Sequence, residues 1–176
     1  IIYSLKPNSY ILDMDVKANN LEGFFPSNTK SMQIEWTEDM RQQEKGYDFE
    51  TRYATITYRD TNGDTQELSV TGSDAEEDEF EEKAEWIAYK TQFFSQIFIT
   101  DSPFSINSMS SSQLEKGSGY LKTYQTSLTT AFDTKGIKPS SFHFYLGPNK
   151  FSTLAKNEEL LASEEDLDLQ SLVYMG

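Results

Sequence analysis

Apolar and polar positions alternate with period two along much of the chain. Tyr10, Leu12, Met14, Val16 and Ala18 fall on one side, and Ile11, Asp13, Asp15 and Lys17 on the other. Successive side chains of an extended chain point to opposite faces, so this is the pattern of a half-buried strand. The Asn19-Asn20 pair closes it. Residues 31–37 repeat the pattern, with Met32, Ile34 and Trp36 on one face. The next stretch, TEDMRQQEK (37–45), loses the alternation. It reads as a single helical turn with Thr37 as N-cap and Met40 as its apolar anchor. Residues 52–59 (RYATITYR) and 65–70 (TQELSV) flank Asp60-Thr61-Asn62-Gly63-Asp64. Asn-Gly between two alternating runs predicts a β-hairpin, because both residues tolerate positive φ.

The second half is more apolar. EWIAYKTQFFSQIFIT (85–100) predicts a long central strand, or two strands joined at a kink. Residues 101–118, rich in Ser, Asn and Gly, read as a loop. Residues 119–133 alternate again, with Tyr120, Tyr124, Leu128 and Phe132 in phase. FHFYL is the last strand and stops at Gly147-Pro148. Beyond it, Phe151, Leu154 and Leu161 share a helical face, Asn149 is placed to cap that helix, and LDLQSLV (167–173) continues the packing. The acid-dominated run 72–85 predicts a solvated loop or a frayed helix start. The sum is a mainly β protein, an antiparallel β-sandwich with a C-terminal α-helix. It forms a single domain over residues 1–176, with the sandwich in 1–146 and the helical segment in 149–173.

Composition narrows the function classes. An aromatic content of 14% fits the pleated faces of β structure. A net charge of −14 repels nucleic acid and anionic headgroups, because phosphate binding needs clustered Lys and Arg. With no cysteine there is neither a disulfide framework nor a thiolate zinc site. No apolar run approaches the roughly 20 residues of a spanning helix. Both ends read as cut from a longer protein.

No catalytic constellation emerges. His143 is the only histidine and alternates with Phe142 and Phe144, so it reads as structural. Asp60, Asn62 and Asp64 resemble the start of a calcium loop. However, the glycine comes at the fourth position and Thr71 stands where a bidentate Glu is required. Trp36 and Trp86 could stack on sugars, but each lies in an apolar alternating run that favours core packing. Gly147-Pro148 lacks the glycines and Lys of a phosphate-binding loop. We therefore expect no catalytic, cofactor-binding or metal site.

Three segments carry a family resemblance: YSLKPNSYILDMDVKANN near the start, WIAYKTQFFSQIFI in the middle, and FYLGPNKFSTL followed by LDLQSLVYMG at the end. In this order the chain resembles the periplasmic domain of the YidC-type bacterial membrane protein insertase. The closing Trp of the family pattern is absent, and the acidic run 72–85 and the Ser-rich stretch 105–113 depart from it. The resemblance implies part of a β-supersandwich similar to the galactose-mutarotase fold. It also implies a periplasmic location between two transmembrane helices of an inner-membrane protein, with one transmembrane helix following the C-terminal segment. It further implies a non-enzymatic role contacting Sec translocon components or nascent membrane proteins, with no cofactor. The alternative is a carbohydrate-binding or sugar-acting sandwich, and a third reading is a spacer between membrane helices. Neither the contact surface nor the oligomeric state is legible.

Overall fold

A computed structural model describes residues 1–21, 23–68, 78–79, 83–161 and 166–173. The strands among them are β1 (Ile2–Leu5), β2 (Ile11–Val16), β3 (Ser31–Arg41), β4 (Thr55–Asp60), β5 (Thr65–Leu68), β6 (Asp78–Glu79), β7 (Lys83–Lys90), β8 (Phe94–Gln113), β9 (Tyr120–Ala131) and β10 (Ser140–Pro148). Helix α1 (Tyr47–Tyr53) precedes β4. Helix α2 (Phe151–Glu158) and a 3-10 turn (Leu169–Leu172) follow β10. Every pairing is antiparallel.

One strand belongs to both layers. The first part of β8, Phe94–Thr100, sits between β10 and β7 in a broad layer of order β1-β2-β10-β8-β7-β4-β5. Its second part, Ser105–Gln113, leaves that layer and pairs with β9, which in turn pairs with β3. Between them stands Pro103, which has no N–H for a ladder and suits the crossing point. The Thr100 hydroxyl closes the bend by donating to the Ser102 carbonyl and accepting the Ser102 amide. The result is an antiparallel sheet folded over itself as an open sandwich.

The alternation decides which face is buried. Tyr58, Ile87, Phe98, Phe142 and Tyr89 of the broad layer meet Tyr124, Leu128, Phe104 and Ile106 of the folded-over layer. Trp36 stacks on Tyr89 with ring centroids 3.7 Å apart. The opposite face of the broad layer carries Ile11, Trp86, Ala88, Ile97, Ile99 and Tyr145. It is covered by Leu154, Leu161, Leu167, Leu169 and Leu172 from the C-terminal segment. An 8-residue helix is marginal alone in water. Burying each of these leucines contributes roughly 1.5–3 kcal/mol, so packing and not propensity holds the segment in place.

Four expectations are corrected. Residues 37–41 continue β3 and do not form a helical turn. The ladder with β9 runs from Ser31↔Ala131 to Arg41↔Tyr120 and outweighs local preference. Residues 101–113 are strand, not loop. Their serines pair with hydroxylated partners on β9, as in Ser105↔Thr129, Ser108↔Ser127 and Ser112↔Thr123. The apolar stretch 85–100 is two strands, in keeping with one of its two readings, but they are joined by a full reversal at residues 91–93 and not by a kink. Arg52 and Tyr53 belong to α1, whose acids Asp48 and Glu50 in the first turn and Arg52 in the last match the helix dipole. Of the acidic run, Asp78–Glu79 form the short β6 against β8, and residues 83–85 open β7. The remainder of that run, and residues 69–70 of the strand expected over 65–70, lie outside the described residues.

Candidate interaction surface

The strand-to-helix turn is where the two ends of the chain meet. Tyr145 donates its hydroxyl to the Pro148 carbonyl at 2.7 Å. A Cβ on Gly147 would lie 2.8 Å from the Tyr145 ring and 2.9 Å from Tyr10, so only glycine fits there. Asn149 does not cap α2. Its side chain accepts from Ser95 Oγ and donates to the Thr91 carbonyl, which ties the turn to the β7–β8 reversal. The N-cap is Lys150, with no side-chain cap. Of the predicted apolar face, Leu154 and Leu161 are buried but Phe151 is half exposed, because α2 ends at Glu158 and turns its Leu154–Asn157 side to the sheet. Buried Asn157 accepts from the Tyr10 amide at 2.8 Å and from Ser9 Oγ, and donates to the Thr153 carbonyl. The Glu158 carboxylate accepts the amides of Leu167, Asp168 and Leu169. Trp86 Nε1 donates to the Leu167 carbonyl at 2.8 Å. Together these contacts clamp the C-terminal segment onto the outer face.

His143 sits on that same outer face. Its Nδ1 lies 2.6 Å from Asp13 and its Nε2 lies 3.0 Å from Asp101. Both ring nitrogens are thus engaged by carboxylates, and Ser141 donates to Asp15 instead of to the ring. The Asp60 carboxylate is likewise used locally, accepting the Asn62 and Asp64 amides across the hairpin whose Gly63 has φ +89°. Trp86 is wholly buried and Trp36 lies half-buried in the inter-layer core, so neither offers a free sugar platform.

Burial shapes the charges inside the sandwich. The Glu38 carboxyl is pushed above its ordinary range by burial, partly offset by a hydrogen bond from Gln96. Burial lowers the Lys122 ammonium, which donates to the Ala54 carbonyl at 2.6 Å, and also the Lys90 ammonium. The Tyr89 phenol is raised by burial; it donates to the Trp36 carbonyl and accepts from Thr126.

The sandwich stays open along one side. The folded-over layer ends at β3, and the broad layer continues past it to β1. Among the described residues, β3 pairs only with β9 and β1 only with β2, so each leaves one backbone edge without a strand partner. Register puts Tyr3 opposite Met14 and Leu5 opposite Leu12, on the face that looks toward β3. Tyr3, Leu5, Phe94 and Leu146 are exposed on that face, which looks toward the half-buried Met32, Ile34 and Trp36 of β3. Scattered exposed apolar residues are ordinary, but an apolar strip beside open edges marks a contact surface. The period-two alternation named these faces, yet it could not show which end of each face the second layer leaves bare.

The model of the YidC periplasmic domain matches residues 1–174. The chain belongs to this family. The membrane protein insertase YidC of Phocaeicola vulgatus is 39% identical over 174 residues, covering 99% of this chain and 28% of that protein. The same protein of Bacteroides fragilis is 38% identical over 175 residues, and that of Porphyromonas gingivalis is 32% identical over 176. The chain thus spans about 28% of the length of these curated relatives. Membership of the YidC periplasmic-domain family places it in the periplasm, as part of an inner-membrane protein. No helix among the described residues is long and apolar enough to cross a membrane.

Proposed function

We propose that this domain is a non-catalytic docking module of a membrane protein insertase, contacting Sec translocon components or nascent membrane proteins through the open side of its sandwich. Family membership over residues 1–174 carries the insertase assignment. The open side supports the docking role. An extended partner could add to the β1 or β3 edge through main-chain hydrogen bonds, while Tyr3, Leu5 and Phe94 provide apolar contact. The engagement of both His143 nitrogens by carboxylates supports a role without chemistry.

We also propose that residues 1–176 act as one unit. The sandwich in 1–146 would be held by the C-terminal segment in 149–173, and that segment would lead toward a transmembrane helix of the parent protein.

Co-purification from cells tests the docking role. The full-length parent carrying Tyr3→Asp and Leu5→Asp is expected to lose translocon or client proteins that the unaltered parent retains, because both positions are exposed and the fold tolerates the change. Unchanged co-purification would refute the β1 side as the contact surface.

A further inference from the structure

At the far end of the sandwich from Gly147, where β8 crosses between layers, lies a hollow of about 290 Å³. It is lined by Lys30 before β3, Asp101 and Ser102 at the β8 bend, Thr130 near the end of β9, and Phe132, Asp133 and Lys138 on the β9–β10 connection. Its size is near the lower end of small-molecule sites, room for about one sugar ring.

The polar groups are of both signs, and the two signs are prepared differently. Asp133 is fixed as an acceptor by the amides of Lys135, Ile137 and Lys138, which hold its carboxyl below the usual carboxylate range. Asp101 is fixed by His143. Both carboxylates keep lone pairs for further donors. In contrast, the ammonium groups of Lys30 and Lys138 have no hydrogen-bond or ion-pair partner in the described residues. The Ser102 and Thr130 hydroxyls are also unspent. Two cations against two carboxylates leave no net charge to draw a polyanion or a polycation. A neutral ligand carrying many hydroxyls, each able to donate and to accept, matches this lining, and the half-buried Phe132 ring offers one apolar edge.

We infer that this hollow binds a polyhydroxylated ligand of the saccharide class. The inference stands apart from the docking role, because none of Tyr3, Leu5 and Phe94 lines the hollow. It also differs from the tryptophan-platform sugar site that the buried Trp86 and the half-buried, stacked Trp36 do not provide.

Amide NMR of the ¹⁵N-labelled 176-residue chain, titrated with galactose, glucose and N-acetylglucosamine, tests it. At least one sugar is expected to shift the amides of Ser102, Ala131 and Lys138 saturably, with a dissociation constant of order millimolar. Lys138→Ala and Ser102→Ala should each weaken that binding roughly five- to tenfold, while leaving distant amides such as Ile56 unmoved. Three results would overturn it. One is the absence of saturable shifts at these amides up to about 100 mM sugar. Another is binding that both variants leave intact. The third is saturable binding of inorganic phosphate with none of any sugar.

Discussion

Gly147 shows how much one residue fixes. Its missing side chain is the space that the rings of Tyr145 and Tyr10 occupy. Gly147→Ala should cost about 1–3 kcal/mol by overpacking, read as a lower urea midpoint with an unchanged m-value. A midpoint equal to that of the native chain would show that the rings yield freely. Glu38 and Glu158 carry a pH signature. Burial raises both carboxyls above their unfolded values, against opposing hydrogen bonds from Gln96 and from the amides of 167–169. A raised acid holds its proton more tightly in the fold. This contribution is therefore fully present below the ordinary carboxylate value, and it is lost as pH rises through the folded values. Urea midpoints should fall as pH climbs out of the carboxylate range, and Glu38→Gln, which keeps an acceptor for Gln96, should flatten part of that slope. An identical slope in the variant would remove Glu38 from the account.

At the scale of elements, the C-terminal segment behaves as a strap. Leu154 is fully buried against the outer face, so Leu154→Ala should destabilise the chain by about 2–5 kcal/mol. Asn157→Ala should cost about 1–3 kcal/mol by removing the buried amide that accepts from the Tyr10 N–H and ties α2 to the start of β2. Hydrogen exchange would then show faster exchange at Tyr10 as well as within α2. Protection unchanged at Tyr10 would refute the strap. The alternation made β2, β9, β10 and the buried Leu154 legible in the sequence. It failed where long-range pairing decides. Residues 37–41 look helical alone but are held by β9, and residues 105–113 look like loop but pair along β9, with Ser105, Ser108 and Ser112 opposite Thr129, Ser127 and Thr123. The signals for α1, its acids first and Arg52 last, stand in the sequence in a stretch to which the alternation assigns nothing except a strand at Arg52 and Tyr53. Asn149 looked like a cap because a cap needs only a local sequence, whereas its true partners, Ser95 and Thr91, lie more than fifty residues away.

At the scale of the whole molecule, charge and openness dominate. A net charge of −14 on 176 residues makes the compact state repel itself. Raising NaCl from about 20 to 500 mM should therefore raise the melting temperature by a few degrees, since the Debye length shrinks from about 20 to 4 Å. No rise would mean that local pairs such as Arg59–Glu85 already balance the field. The same openness frames the functional claim, because closing the edges would remove the surface on which docking depends. Candidate contact residues were only partly legible in the sequence. Tyr3 and Leu5 are apolar in any reading, and only the placement of β3 leaves them uncovered. The central claim is that the open side, and not the strapped outer face, meets the partners of the parent insertase. In-cell photo-crosslinking from the full-length protein tests it most directly, with the photoreactive residue at Tyr3, Leu5 or Phe94 on the open side and at Lys156 on the strap. The account predicts protein adducts from the first three and none from Lys156. Adducts from Lys156 alone, or from no position, would contradict it.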